Sequence, residues 1–256
     1  MWTSGDAYER YVGRWSRLVA PAFLDWLGAG PGRRWLDVGC GTGALSETIL
    51  ARCDPTELVG VDPSEAHVDW AATHVGDARA RFLVADAGHL PPVTVDVVVS
   101  GLVLNFLPDA GAGLEAMKAR APRGIVAAYV WDYAGRMELM RYFWDAAAEL
   151  DPASSGLDEG ARFPLCHPDR LESLWRDAGL THIAVQPIDV PTVFADFEDY
   201  WTPFLAGHAP APAYAMSLDE QRRHELRDRI RAALPVADDG SIRLKARALA
   251  VRGRTG

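Results

Sequence analysis

The chain has little cysteine: Cys40, Cys53 and Cys166 are its three among 256 residues. No two of them have the close spacing that metal sites use, so no metal centre is expected. An odd, sparse set also excludes a disulfide framework and fits a reducing compartment. Positive charge is short as well, with 26 Lys and Arg against 35 Asp and Glu and a net charge of −9. That field repels phosphates, so a DNA- or RNA-wrapping surface is not expected. No uninterrupted apolar run approaches the ~20 residues of a membrane span, and residues 1–10 carry Asp6, Glu9 and Arg10 where a leader would be apolar. Repeats and low-complexity tracts are absent too. The expectation is a cytoplasmic protein without a membrane span. What the chain does have is apolar content, 49%, enough for one large α/β domain or two small ones.

Periodicity and punctuation divide the chain in two. A helix is expected over residues 8–27, with Pro21 starting or kinking its second half, and the GAGPG run at 28–32 stops it. Strands follow at 35–38, 58–61, 82–85, 95–100 and 125–131, with helices at 44–52, 64–75 and 114–120 between them. This alternation implies crossover units and a mostly parallel sheet. Residues 95–100 are valine-rich, as in a strand buried on both faces. Beyond 131 the pattern changes. A long helix is expected at 137–150, a polar loop at 151–160, and a helix at 168–178 with Pro168 first and Gly179 just past its end. A sixth strand is expected at 183–190 and a short helix at 197–205 behind Asp196. The run SLDE at 217–220 reads as a capping box opening a helix to 234. A last strand at 242–251 makes seven.

Gly39, Gly41 and Gly43 lie in the turn between the first strand and its helix, where missing side chains let a ligand approach the backbone. Two cofactor classes use such a turn. Gly39, Gly41 and Ala44 formally satisfy the dinucleotide pattern. Asp37, two residues before the first glycine, instead suits a ligand with an ammonium group, such as S-adenosylmethionine. Asp62 and Asp86 end the next two strands, at spacings of 25 and 24 residues. A carboxylate in the first place can accept from ribose hydroxyls and one in the second from an adenine amino group. Three acids at successive strand ends line one crevice, where open α/β sheets bind ligands. Cys40 reads as a small residue that fits the turn. His67 and His74, seven apart on one helix, read as solvated or capping groups.

The segments LDVGCGTG (36–43), VGVDPS (59–64), VADAGHLP (84–91), DVVVSGLVLNFLPD (96–109) and YVGRWSR (11–17) resemble the ordered motifs of class I S-adenosylmethionine-dependent methyltransferases. More narrowly they are similar to the small-molecule branch typified by ubiquinone-pathway enzymes. The resemblance runs from about residue 8 to 131 and fades afterwards. It implies a Rossmann-like α/β fold: a seven-stranded, mostly parallel sheet with helices on both faces, an antiparallel last strand, and added helical lid segments. It implies one domain over 1–256, with a helical cap at 1–32, a cofactor-binding core at 33–131 and a C-terminal half at 132–256. The family often joins its last two strands by a short hairpin, whereas some fifty residues intervene here.

By position, the resemblance gives Gly39, Cys40, Gly41 and Gly43 to the methionine portion of the cofactor and Asp37 to its ammonium. Asp62 falls to the ribose, Pro63 to the adenine face, and Asp86 and Ala87 to the adenine edge. Ser100, Gly101 and Leu102 border the sulfonium, and Arg14 pairs with the methionine carboxylate. Asn105, Trp131, Tyr133 and Trp201 are the candidates for binding the acceptor, with a turn or core role as the plain alternative for each. Asp132 either handles a substrate proton or caps the following helix. No catalytic base is assigned. The implied activity is methyl transfer to a small organic acceptor; a nicotinamide-dependent (NAD(P)) oxidoreductase and a non-catalytic binding module of the same fold are the alternatives.

Overall fold

A computed structural model describes residues 13–206 and 209–256. The expected start of the first helix, at 8–12, and His208 lie outside the described residues. In chain order the elements are α1 (Arg14–Leu27), β1 (Arg34–Val38), α2 (Ala44–Arg52), β2 (Glu57–Asp62), α3 (Glu65–His74), β3 (Ala80–Val84), β4 (Val97–Gly101), α4 (Ala110–Arg120), β5 (Ile125–Trp131) and α5 (Glu138–Leu150). They continue with α6 (Glu159–Arg162), α7 (Pro168–Asp177), β6 (Thr181–Phe194), α8 (Phe197–Trp201), α9 (Pro210–Ser217), α10 (Glu220–Ala233) and β7 (Ile242–Arg254). Among the described residues no helix is long and apolar enough to cross a membrane.

The strands form one seven-stranded sheet in the order β3-β2-β1-β4-β5-β7-β6, mostly parallel with the last strand antiparallel, as the resemblance implies. Its centre is parallel: helices after β1, β2 and β4, and the irregular residues 85–96 after β3, return the chain to the same end. Val97, Val98 and Val99 are at most 1% exposed, which explains the unbroken valine run of β4. At the β3 edge, by contrast, Val84 is 56% exposed. β6 runs well past the expected 183–190 and passes through Pro187 and Pro191. The edge position explains this, since a proline there forfeits no hydrogen bond on the open side.

Packing divides the chain into two compact units, each described by itself. The sheet unit comprises Val19–Val130, His167–Ile188 and Leu249–Gly256. Within it Phe23 packs on Tyr129 with ring centroids 4.8 Å apart, and the Trp175 indole N–H donates to the Val126 carbonyl at 3.2 Å. Arg252 lies over the Trp26 ring and donates to the Leu27 carbonyl at 2.9 Å, so a cation closes the C-terminus of α1.

Among the described residues the helical unit comprises 13–18, 131–166, 189–206 and 209–248. Phe143, at its centre, stacks on Phe204 at 4.6 Å and meets Trp144 and Tyr214 edge-on. The Tyr200 hydroxyl donates to the Leu139 carbonyl at 2.7 Å. Most aromatic residues of this half are core, among them Phe143, Trp144, Tyr200, Trp201 and Phe204. Two expectations fail here. Residues 151–160 are not a loop: Pro152–Leu157 form a 3-10 turn and α6 follows, because Asp151 and Asp158 accept backbone N–H groups from Ala153 and Gly160 and start helical turns. The capping box does not form either. Ser217 ends α9 and donates back to the Tyr214 carbonyl, while Asp219 accepts from Arg222 N–H and caps α10.

Candidate functional site

The site begins where β1 and β2 end side by side, with Val38 in register with Val61. The N–H groups of Gly39 and Cys40 both donate to the Val61 carbonyl, at 2.8 and 2.9 Å. Gly41 N–H donates to Asp62 Oδ2 at 3.0 Å, and Gly43 N–H to the Cys40 carbonyl at 2.9 Å. The three glycines have φ of +75°, +53° and +94°, a region side chains rarely adopt. At Gly39 a Cβ would also sit 2.3 Å from Val103 Cγ2, whereas at Gly41 it would meet nothing within 4 Å. The turn is therefore closed on one side and open at Gly41. Of the five N–H groups of residues 39–43, those of Gly39, Cys40, Gly41 and Gly43 are spent inside the protein.

Asp37 sits beneath this turn at 1% exposure. Ser46, from the first turn of α2, donates to its Oδ2 at 2.7 Å, and its Oδ1 has no hydrogen-bond partner. Burial pushes its carboxyl up to about 7; the Ser46 bond opposes the shift and the nearby Asp62 adds to it. A buried carboxylate oxygen without a donor asks for a cation.

Asp62 Oδ1 accepts from Ser64 N–H at 2.9 Å and lies 3.2 Å from the His67 ring. Ser64 itself caps α3. Ala85 N–H donates to the Asp62 carbonyl, which ties in the start of the Asp86 turn. Asp86 closes that turn on itself, accepting from Gly88 and His89 N–H, and the His89 ring and Gly88 N–H hold its carboxyl below the usual range. Ala87 is buried, and Pro63 is exposed. Ser100 is fully buried and its hydroxyl donates to the Val38 carbonyl, so only its backbone remains for a ligand. A Cβ on Gly101 would sit 2.6 Å from the Tyr129 hydroxyl. Leu102 has φ of +61°, a strained conformation for a branched side chain and one that clusters at functional sites. Burial raises the Cys40 thiol well above its ordinary value, which makes it inert as a nucleophile.

The structure thus brings Asp37, Gly39, Cys40, Gly41, Gly43 and Asp62 together, with the Asp86 turn at the adjacent strand end. Asn105 lies in the 3-10 turn Leu104–Phe106 after β4, its Nδ2 unpartnered. The other candidates belong to the helical unit. Trp131, Tyr133 and Trp201 are at most 5% exposed; Tyr133 packs on Phe163 and Trp201 on Phe197. Asp132 closes its own turn by accepting from Gly135 and Arg136 N–H. Arg14 pairs with Asp199 at 3.1 Å. Sequence reasoning missed Ser46, His67 as the neighbour of Asp62, and the strain at Leu102. Ser46 had a signal: a small hydroxyl in the first helical turn, nine residues after Asp37.

Residues 36–124 match the family described as a methyltransferase domain. Over 158 residues the chain is 32% identical to trans-aconitate 2-methyltransferase of Methylobacterium radiotolerans, covering 56% of this chain and 60% of that protein. Over 107 residues it is 33% identical to ubiquinone biosynthesis O-methyltransferase of Hahella chejuensis, covering 40% and 44%. The chain thus spans about half the length of the curated relatives it matches. In fold it is similar to Haemonchus contortus phospholethanolamine N-methyltransferase 2, solved with phosphomonomethylethanolamine and S-adenosylhomocysteine, at a TM-score of 0.57, 16% identity, and coverage of 98% and 56%. The glycine turn, Asp37, Asp62 and Asp86 all lie within the residues that match this family, so over residues 36–124 the chain is similar to a methyltransferase domain.

Proposed function

We propose that the protein binds S-adenosylmethionine at the glycine turn and transfers its methyl group to a small organic acceptor. The observation that carries this reading is Asp37: its buried Oδ1 lacks a donor, beside a turn in which the N–H groups of Gly39, Cys40, Gly41 and Gly43 are already used. An ammonium fits that place and a pyrophosphate does not. This disfavours a nicotinamide dinucleotide. A module retired from catalysis would have no need to keep a desolvated acid there.

Gly39, Cys40, Gly41 and Gly43 would hold the methionine portion through open backbone, and Asp37 its ammonium. Asp62, already fixed by Gly41 and Ser64, would accept from the ribose. Pro63, the Asp86 turn and Ala87 would border the adenine. Ser100, Gly101 and Leu102 would line the sulfonium end through their backbone. When bound, the sulfonium supplies an already activated methyl group. The protein's task is then alignment and exclusion of water, which can contribute ~7–11 kcal/mol. Asn105, Trp131, Tyr133 and Trp201 are proposed to bind the acceptor. The relatives named for trans-aconitate and ubiquinone biosynthesis support an acceptor of metabolite size. The acidic balance and sparse cysteine support action in the cytoplasm without a nucleic-acid partner.

Calorimetry with S-adenosylhomocysteine tests the reading. Wild type is expected to bind, and Asp62→Ala to lose about 100-fold in affinity, the value of two charge-assisted hydrogen bonds, with an unchanged circular dichroism spectrum. Equal affinity of the two proteins, or binding of NAD(P) in place of S-adenosylhomocysteine, would defeat it.

A further inference from the structure

Arg14 opens α1 and belongs to the helical unit. Its guanidinium is clamped between two rings, 4.3 Å from the centroid of Trp15 and 4.8 Å from that of Phe194. Asp199 takes one corner only: both of its oxygens are reached by Nη1, at 3.1 and 3.4 Å. Asp199 is itself fixed by Ala195 N–H at 3.0 Å. Arg14 Nε and Nη2 are buried and have no hydrogen-bond partner. These two N–H groups share one edge of the planar group and point the same way, which is the edge that takes a carboxylate bidentately.

Two more unpartnered groups lie on the elements that hold Arg14. The Trp15 ring that stacks on Arg14 carries an unpartnered indole N–H. Thr192 lies two residues before Phe194 on the inward face of β6, fully buried, with its hydroxyl unpartnered. Arginine and tryptophan can only donate. Water or an anion must supply the acceptors, and a guanidinium held rigid by two rings and a carboxylate is preorganised for the anion. The Arg14 side chain remains 32% exposed.

We infer that the Nε/Nη2 edge of Arg14 anchors a carboxylate group of the methyl acceptor. The inference rests on the methyltransferase reading, and it departs from the sequence resemblance, which pairs Arg14 with the cofactor's carboxylate. Every residue that fixes Arg14 (Trp15, Phe194, Asp199) lies in the unit that carries the acceptor candidates Trp131, Tyr133 and Trp201.

The test follows the arginine Nε–H resonances of ¹⁵N-labelled protein saturated with S-adenosylhomocysteine. Arg14→Lys identifies the Arg14 signal by its loss. Acetate, benzoate and citrate are titrated at matched ionic strength, with acetamide and benzamide as uncharged counterparts. At least one carboxylate is expected to move the Arg14 signal saturably while both amides leave it in place. Arg14→Gln is expected to weaken that carboxylate more than about tenfold, and Arg14→Lys to recover part of the loss, with S-adenosylhomocysteine affinity unchanged in both. A signal that no carboxylate moves overturns the inference and leaves a structural ion pair. A signal moved only by S-adenosylhomocysteine, or loss of its binding in both variants, overturns it in favour of the cofactor's carboxylate. Calorimetry of wild type with S-adenosylhomocysteine reports separately on the methyltransferase reading itself.

Discussion

The sheet unit and the helical unit treat their buried polar atoms differently. Among the described residues thirteen buried side-chain nitrogen or oxygen atoms have no hydrogen-bond partner, and nine of them belong to the smaller, helical unit. In the sheet unit Ser100 and Trp175 are absorbed by strand carbonyls; Asp37 Oδ1, one of its four exceptions, lies at the candidate cofactor turn. In the helical unit Glu159 is 2% exposed, and burial pushes its carboxyl up to about 6. It accepts from the Trp144 indole. A parallel sheet satisfies its own backbone and can bury valine without residue-specific chemistry. An irregular helical assembly cannot do so, and its polar interior is open to being spent on recognition.

The largest test of this contrast asks what holds the helical unit together. If aromatic packing does, Phe143→Ala is expected to cost about 3–5 kcal/mol through the cavity it leaves. Hydrogen exchange should then rise across Glu138–Leu150 while Val97, Val98 and Val99 stay protected. Equal loss of protection in β4 would mean that the two cores unfold as one.

Next is the turn. Gly39→Ala combines a left-handed conformation, ~1–2 kcal/mol of strain, with a Cβ 2.3 Å from Val103, which adds ~1–3 kcal/mol of overpacking. Gly179 has φ of +71° and open space around it, so Gly179→Ala should show the strain alone. Thermal unfolding of the pair separates the two effects. Only Gly39→Ala is expected to abolish binding of S-adenosylhomocysteine as well.

The same contrast explains what could be read from sequence. β5 and α2 begin and end where their residues predict, because period and punctuation agree there. Asp37, Asp62 and Asp86 fall at strand ends because a parallel sheet puts every strand end on one side. The environment of Asp37 was illegible: Ser46 and the unpartnered Oδ1 depend on how α2 meets the sheet. In the helical half, α6 and α9 escaped notice because Pro, Ser and Gly in 152–160 and Ala and Pro in 209–213 mimic loop composition. Side-chain caps and tertiary packing, which composition does not report, made them helical. Arg14 was visible as a candidate, but its aromatic clamp joins residues 180 positions apart.

A smaller effect concerns pH. The folded protein holds the Asp37 carboxyl at about 7, above its ordinary 3.8, so the fold favours the protonated form. Its cost is absent below about pH 4, grows as pH rises, and levels off above about 7, amounting to a few kcal/mol at most. Asp37→Asn keeps a side-chain oxygen for Ser46 and should remove this decline from the stability-against-pH curve. A cation seated beside Oδ1 stabilises the charged form. Binding of S-adenosylhomocysteine at pH 6 should therefore release protons, which appears as a dependence of the binding heat on buffer ionisation. No dependence would mean that the ammonium lies elsewhere.

The smallest effect separates sequence from structure inside the helical unit. The run at 217–220 predicts Ser217 as the cap, whereas the structure gives that place to Asp219, which accepts from Arg222 N–H at 2.8 Å. An N-cap is worth ~1 kcal/mol, and its carboxylate gains a little more from the helix dipole. Asp219→Ala should thus lower stability by about 1 kcal/mol, measured by urea unfolding. Ser217→Ala should cost clearly less, because its hydroxyl only returns a bond to the Tyr214 carbonyl at the end of α9, where water can replace it. The reverse order would restore the capping box, merge α9 into the approach to α10, and remove the reason Tyr214 is held against Phe143 and Trp144.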